Sequence, residues 1–183
     1  MPDKYARLEE VDGCPALLFE RVLPHPPERI WAALTDTAEM FAWHPTPAEF
    51  EPRVGGRVVW DPKGHVADLP DSEVTAWDPP RRLGYTWTTL ETPNPDHLLW
   101  ELHPHDDGCL LVLLHTFDDR LKAARDGAGW HVCLDALAAA LDGAPDPPGG
   151  DPDAPGPWEG LNTEYQGRFN ISPEEATPPP VRD

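Results

Sequence analysis

Alternating apolar and polar positions predict a series of β-strands through the middle of the chain. In the run 83–89, large apolar residues at 83, 85 and 87 alternate with small or polar ones at 84, 86 and 88. Side chains alternate between the two faces of a strand, so this pattern is typical of a sheet with one buried face. The runs 98–103 and 110–117 flank Asp106-Asp107-Gly108, which favours a β-hairpin. Earlier strands are predicted at 17–23, 50–60 and 73–77.

A helical spacing of apolar residues follows these strands. Trp130, Leu134, Leu137 and Leu141 are four, three and four residues apart, and Gly143 stands where a helix C-cap is favoured. A helix with one broad apolar face must bury it against the sheet. The pattern therefore predicts an α+β fold, in which a curved antiparallel sheet grips a long C-terminal helix. Two short helices are predicted after the first strand, around 30–34 and at 38–43.

Proline divides the chain into a body and an extension. Of the 25 prolines, 10 lie between 145 and 183, together with glycines and acidic residues. We expect a folded domain over 1–143 and a proline-rich acidic extension over 144–183. Within the extension, apolar residues at helical spacing predict a short helix near 158–165 that docks on the body, followed by a disordered end. These residues are Trp158, Leu161, Tyr165 and Phe169.

The charge balance limits the expected partners. The chain has 14 Lys and Arg residues against 33 Asp and Glu residues, which gives a formal net charge of −19. Nucleic acids and anionic membrane surfaces carry the same sign, so neither is an expected partner. No apolar run approaches the ~20 residues of a membrane span, and the first residues lack the apolar core of a signal peptide. A cytoplasmic protein is therefore predicted, with Cys14, Cys109 and Cys133 as reduced, mostly buried thiols.

Tryptophan is the most informative residue type in this sequence, because eight of them must line either a core or a cavity. An indole offers a large flat apolar face and one N–H donor, which suits stacking on a planar ligand. Plain core packing is the alternative. The candidate pocket residues lie on predicted strands, on the long helix and, near the expected entrance, on the short helices. They are Trp31, Trp43, Trp60, Trp87, Trp100 and Trp130.

His115 is the candidate for proton chemistry. It alternates in phase with Leu113 and Phe117, so its imidazole is expected to face the long helix. The hypothesis is that it lines the pocket and acts as a catalytic residue. The alternative is a core histidine that hydrogen-bonds to a neighbouring group. Neither Ser72 nor Ser172, the only serines, lies in a GxSxG motif. No cofactor is expected. No metal site is expected either, because the two histidines at 103 and 105 belong to a predicted hairpin tip, where a solvated turn is favoured.

Several short motifs occur in an order that resembles one known family. The stretch 21–44 has an arginine on the first strand, then Pro27, a Trp-Ala-Ala-Leu-Thr-Asp run at 31–36, and Trp43. Further matches are Val54-Gly55-Gly56, Asp78-Pro79-Pro80-Arg81-Arg82-Leu83, Tyr85-Thr86-Trp87 and Gly129-Trp130. This order is similar to that of the SRPBCC or START-like superfamily, and within it to the branch of activator of heat-shock-protein-90 ATPase homologue-like proteins.

The resemblance implies the helix-grip fold, with a cavity between the sheet and the long helix, and it leaves three functions open. The first is non-catalytic binding of a small, largely apolar ligand, aromatic or polycyclic. The second is a cyclase-like or hydrolase-like enzyme that acts on a polyketide-type or other hydrophobic substrate through His115. The third is a co-chaperone-like interaction module. A protein partner or a homodimer is also left open.

Overall fold

The residues described by the computed structural model, 3–61, 72–88, 94–144 and 156–176, form one antiparallel sheet and four α-helices. The strands are β1 (Arg7–Val11), β2 (Cys14–Leu23), β3 (Ala48–Phe50), β4 (Arg57–Trp60), β5 (Ser72–Asp78), β6 (Arg82–Trp87), β7 (Asp96–His105) and β8 (Gly108–Thr116). The helices are α1 (Pro27–Thr35), α2 (Thr37–Met40), α3 (Ala123–Leu141) and α4 (Pro157–Phe169). The strand order is β1-β2-β8-β7-β6-β5-β4-β3. The predicted helix-grip α+β fold is confirmed.

The β7–β8 hairpin shows how alternation in the sequence builds the buried face. In this pair Leu98 lies opposite His115, and Trp100 lies opposite Leu113. Every second residue of β8 is buried, from Cys109 to His115. The buried face points at α3, because Trp130 of that helix contacts residues of β6, β7 and β8. Alternation therefore sorts the pocket candidates of these strands onto the face that the long helix covers.

Three element boundaries differ from the sequence-based prediction. The strand β1 was not predicted; it pairs with β2 through a tight turn in which Asp12 and Gly13 have φ values of 52° and 82°. The predicted strand at 50–60 is two strands, separated by a bend at Gly55 (φ 73°). The long helix begins at Ala123 rather than near Gly129, because a 3₁₀ turn at Arg120–Lys122, capped by the Asp119 carboxylate, leads into it.

Helix α4 packs on α3 through a close approach of its aromatic face. A Cβ atom at Gly127 would lie 3.3 Å from the Tyr165 ring, so the glycine lets the two helices come together. The helix ends at Asn170, which adopts the left-handed conformation (φ 51°). An extended linker is expected over 145–157; of it, 145–155 lie outside the described residues, as does the expected disordered end at 178–180. The division into a domain and an extension stays a prediction.

Two further features concern the surface and the thiols. In the described part of the chain, no helix has both the length and the apolar character needed to cross a bilayer. The three cysteines are free; Cys14 is exposed, whereas Cys109 and Cys133 are buried. The prediction of unpaired, mostly buried thiols is confirmed.

Candidate functional site

Five of the predicted tryptophans meet between the sheet and α3. The ring of Trp130 is the hub, with its centroid 5.5 Å from the rings of Trp87 and Trp100. Trp60 stacks on Trp87, with ring centroids 5.4 Å apart and an interplanar angle of 24°. Trp43 meets Trp100 edge-on at 6.1 Å. We call these five residues the tryptophan cluster; four of them are buried, and Trp87 is half-buried.

The two tryptophans expected near the entrance occupy different surroundings. Trp43 is only 1% exposed, and its indole nitrogen donates to the Ala33 carbonyl at 2.9 Å, which ties it to α1. It lies three residues after the end of α2, in a turn where the Trp43 and His44 amides donate to the Met40 carbonyl, so the helix is shorter than predicted. Trp31 lies apart from the cluster and meets Trp77 edge-on at 5.2 Å. A part for Trp31 or Trp43 in ligand binding stays a prediction.

His44 lies among these rings, and sequence reasoning did not select it. Its ring centroid is within 5.3–6.0 Å of four tryptophan rings, those of Trp43, Trp60, Trp87 and Trp130. Burial lowers the pKa of His44 to about 4, so the imidazole is neutral at physiological pH. Its place directly after Trp43, before a proline that ends the helical pattern, was the available hint in the sequence.

The indole N–H groups of the cluster are largely taken by the protein itself. Besides the bond from Trp43, Trp60 donates to Ser72 Oγ at 2.9 Å and Trp100 donates to Tyr85 Oη at 3.1 Å. Trp130 donates to His115 Nδ1 at 3.1 Å. The cluster therefore offers mainly flat apolar surface to a ligand, because these donors are already used.

His115 is buried, as its phase in β8 predicts, and belongs to a chain of polar groups. Because Nδ1 accepts from Trp130, the neutral ring carries its proton on Nε2, which lies 3.2 Å from Asp96 Oδ2. The other carboxylate oxygen of Asp96 accepts from Lys122 Nζ at 2.9 Å, and Lys122 also pairs with Asp118 at 3.1 Å. Asp96 and Lys122 were missed from the sequence, although a lysine inside an apolar helix start is unusual.

Asp96 and Lys122 stabilise each other's charged forms. Burial alone would raise the pKa of Asp96, but the hydrogen bonds from His115 and Lys122 and the positive charge of Lys122 outweigh it and hold that pKa below its usual range. Burial alone would lower the pKa of Lys122, but Asp96 and Asp118 outweigh it and raise that pKa. The arrangement is a balanced ion pair in the core, next to the tryptophan cluster.

Three possible ligand atoms of Asp96, His115 and Asp126 lie within 4.8 Å of one another, a spacing compatible with a metal ion. The Lys122 ammonium already neutralises Asp96 there, and Arg125 pairs with Asp126 at 2.8 Å. These cations compete directly with a metal for the same carboxylates. The donor set therefore fits an ion-pair network better than a metal centre.

Two surface clefts lie away from the tryptophan cluster. A cleft of about 360 Å³ runs beside β1, and its lining includes Arg120, Arg168 and Phe169. A second cleft, of about 460 Å³, continues along β1 next to Glu10 and Asp118. Within the cluster, by contrast, the rings are in direct contact, so a ligand must separate side chains to enter.

Comparison with known proteins agrees with this architecture. The solution structure of CalU16 from Micromonospora echinospora is similar at a TM-score of 0.69, with 20% identity over 93% of this chain and 97% of that chain. MLL2253 from Mesorhizobium loti shares 30% identity over 69% of this chain and 96% of that chain, with a TM-score of 0.58. BPP1335 from Bordetella parapertussis shares 25% identity over 92% of each chain, with a TM-score of 0.61.

No curated protein matches the chain. The family model described as activator of Hsp90 ATPase homolog 1-like protein matches residues 24–142, from the end of β2 through α3. That range carries the whole tryptophan cluster and His115. The chain therefore belongs to the activator of Hsp90 ATPase homolog 1-like family, within the SRPBCC superfamily.

Proposed function

We propose that the protein binds a small planar aromatic ligand in the tryptophan cluster and does not convert it chemically. The family and its structural neighbours support a fold that binds hydrophobic ligands. The observation that carries the proposal is the stacked pair of Trp60 and Trp87. Trp60 is buried, whereas Trp87 is half-buried, so the pair runs from the surface into the cluster.

A ligand enters between the stacked rings of Trp60 and Trp87, so that each indole contacts one of its faces. The two rings are already nearly parallel, with an interplanar angle of 24°. The stacking of the ligand on each indole therefore has the same geometry as the Trp60–Trp87 contact that it separates. Behind them, the rings of Trp130 and His44 supply further apolar contact. A flat aromatic molecule matches this shape, because stacked and edge-on ring contacts replace those that it separates.

The polar groups beside the cluster favour binding over catalysis. Both ring nitrogens of His115 are engaged, one with Trp130 and the other with Asp96. A general base needs a free nitrogen within reach of its substrate. The enzyme hypothesis requires that Trp130 release His115 first. The co-chaperone-like hypothesis has no comparable residue arrangement within the described ranges and stays a prediction.

The test is a fluorescence titration with 2-methoxynaphthalene as the probe. We expect saturable quenching of tryptophan emission with micromolar affinity, about −8 kcal/mol. Replacing Trp87 with alanine removes one aromatic contact, worth about 1 kcal/mol, and weakens binding roughly fivefold. The matched control is Trp77→Ala, which alters another half-buried tryptophan outside the cluster.

Two results would contradict the proposal. One is the absence of saturable binding to the native protein at probe concentrations well above micromolar. The other is an equal loss of affinity in Trp87→Ala and Trp77→Ala, which would place the probe elsewhere or show a general effect on folding. Melting temperatures of both variants, measured in parallel, separate these two causes.

A further inference from the structure

Strand β1 is an edge of the sheet, and the pairing of its neighbour shows where its backbone groups point. In the strand order, β1 has β2 on one side and no described strand on the other. The Pro15 carbonyl of β2 accepts from the amide of Phe117, the residue directly after β8. Since the N–H and C=O of a strand residue point the same way, Pro15 does not bond to Glu10, the residue opposite it in β1. The backbone N–H and C=O of Glu10 therefore point away from β2.

Every second residue of β1 shares this direction, so the same holds for Leu8 and for Ala6, the residue just before the strand. Ala6 confirms it, because its amide donates to the hydroxyl of Tyr165 on α4, at 3.0 Å, instead of to β2. Within the described ranges, the outward N–H and C=O groups of Leu8 and Glu10 have no hydrogen-bond partner. An open strand edge of this kind is a template for one more strand.

The two surface clefts follow this edge. Residues 6–8 line the first cleft and residues 8–10 line the second, and the two clefts share Leu8 and Arg120. Consecutive side chains of a strand point to opposite faces of the sheet, so a space lined by three residues in a row runs along the edge rather than over one face. The clefts, of about 360 and 460 Å³, therefore give room for a chain beside the unpaired backbone groups.

The charges beside the clefts give the edge a direction. Most of the charged side chains that line them are paired within the protein; these are Arg7, Glu9, Arg168 and Asp118. Arg120 and Glu10 are exposed and form no ion pair with any residue that the structure describes. Arg120 donates to the Phe169 carbonyl, which holds its guanidinium in the space that both clefts share. Glu10 lines only the second cleft, so a strand added here meets an anion at one end and a cation near its middle.

From this edge we infer that β1 binds an extended segment of another protein as an added antiparallel strand. The strand pairs of this sheet are antiparallel, and in that orientation the segment runs from Glu10 towards Ala6. A basic side chain of the segment lies beside Glu10, and an acidic one two residues later, on the same face, lies beside Arg120. The partner chemistry is therefore a proline-free, β-forming stretch with the order basic-x-acidic. This surface adds a protein-binding role to the proposed ligand binding.

A second copy of the chain is a poorer occupant, although Arg7-Leu8-Glu9 has the same basic-x-acidic order. Each chain has a net charge of −19, so two copies repel each other at the distance that strand pairing requires. A stable interface uses about 20–30 residues on each side, whereas β1 has five. A segment without a large net charge avoids this repulsion.

The test uses two synthetic peptides of the same composition, acetyl-Thr-Lys-Val-Glu-Thr-Val-amide and acetyl-Thr-Glu-Val-Lys-Thr-Val-amide, which differ only in the order of the charges. In ¹⁵N-labelled protein, the first peptide should shift the amide resonances of Leu8 and Glu10, which face the open edge, more than those of Arg7 and Glu9. In the second peptide both charge pairs become repulsive, so it should bind roughly tenfold more weakly.

Two substitutions at one exposed position separate the hydrogen bond from the charge. Glu10→Pro removes the outward amide hydrogen, and it removes no bond between β1 and β2 because that amide points away from β2. Glu10→Ala removes only the carboxylate. We expect Glu10→Pro to bind the first peptide roughly tenfold more weakly than Glu10→Ala does, the value of about one hydrogen bond. If melting curves show that Glu10→Pro does not fold, the two peptides on the native chain decide the question.

Three outcomes overturn the inference. The first is that the Leu8 and Glu10 amide resonances stay in place at millimolar concentrations of the first peptide. The second is that the native protein binds both peptides with equal affinity. The third is dimerisation in sedimentation equilibrium that Glu10→Pro abolishes, because the occupant of the edge is then a second copy. None of them bears on the naphthalene probe, which tests the tryptophan cluster.

Discussion

Asp96 is a buried carboxylate held between the Nε2–H group of His115 and the ammonium of Lys122. Removing a carboxylate from water is costly, and here two donors and one full positive charge compensate for that loss. Lys122 depends on the same contacts, since its side chain is 5% exposed. Loss of the Asp96 charge leaves Lys122 with the half-exposed Asp118 as its remaining ion-pair partner in the described structure.

Replacing Asp96 with asparagine should therefore destabilise the fold. Breaking one partner of a buried ion pair costs about 3 kcal/mol, to be measured as the change in the free energy of unfolding in urea at pH 7. The control is Asp107→Asn at the tip of the β7–β8 hairpin, whose side chain is 84% exposed. Exposed substitutions of this kind change stability by about 0.5 kcal/mol or less.

The same variant has a pH dependence of defined sign. The folded pKa of Asp96 is below its usual value, so its contribution is fully present above the unfolded pKa of about 3.9. The contribution is lost as the pH falls through the lower, folded pKa. The stability difference between native protein and Asp96→Asn should stay constant from pH 7 to pH 5 and shrink below about pH 4. A difference that is unchanged at pH 3 would argue against a charged Asp96.

At the scale of elements, one tyrosine joins three parts of the chain. The hydroxyl of Tyr165, on α4, accepts from the Ala6 amide at 3.0 Å and lies 3.0 Å from His131 Nδ1 of α3. His131 Nε2 faces the Asp135 carboxylate at 3.6 Å, which favours the ring proton on Nε2, so Nδ1 accepts from the Tyr165 hydroxyl. Burial lowers the pKa of His131 to about 4, so that histidine is a neutral acceptor. The junction fixes α4 to α3 and to Ala6, the residue directly before β1.

Tyr165→Phe should weaken this junction without changing its packing volume. Two buried groups, the Ala6 N–H and His131 Nδ1, lose their partner, at a cost of about 1–3 kcal/mol. The matched control is Tyr5→Phe, which removes an exposed hydrogen bond to Glu164 of the same helix. Thermal melts should show a clearly larger loss for Tyr165→Phe, and equal losses would mean that the junction hydrogen bonds contribute little.

The sequence predicted features that depend on one element and missed those that depend on two. Periodicity alone placed His115 and Trp100 on the buried face of the sheet and placed Tyr165 on the apolar face of a helix. It could not reveal that Lys122 contacts Asp96, since 26 positions separate the two residues. Their contact depends on how the start of α3 packs against β7. His44 was missed for the same reason. Its neighbours Trp60, Trp87 and Trp130 come from three different elements.

At the scale of the whole molecule, the three thiols lie at different depths. Cys14 begins β2 at the exposed β1–β2 turn, whereas Cys109 in β8 and Cys133 in α3 are buried. Burial raises the pKa of the Cys133 thiol to about 12 and also raises that of Cys109. Only the thiolate reacts with a disulfide reagent. The two buried thiols, Cys109 in the sheet and Cys133 in α3, therefore react only when the structure opens around them.

Labelling with a disulfide reagent at pH 8 should therefore show one fast thiol and two slow ones, and Cys14→Ser should remove only the fast phase. When the protein opens and closes faster than the reagent reacts, the rates of the slow labelling phases are proportional to the population of the open form. In Tyr165→Phe, a loss of about 1.4 kcal/mol would accelerate the slow phase roughly tenfold. Equal acceleration at Cys109 and Cys133, resolved by mass spectrometry, means that the α4 junction and the sheet open together. Acceleration at Cys133 alone would show that the helices detach while the sheet stays closed.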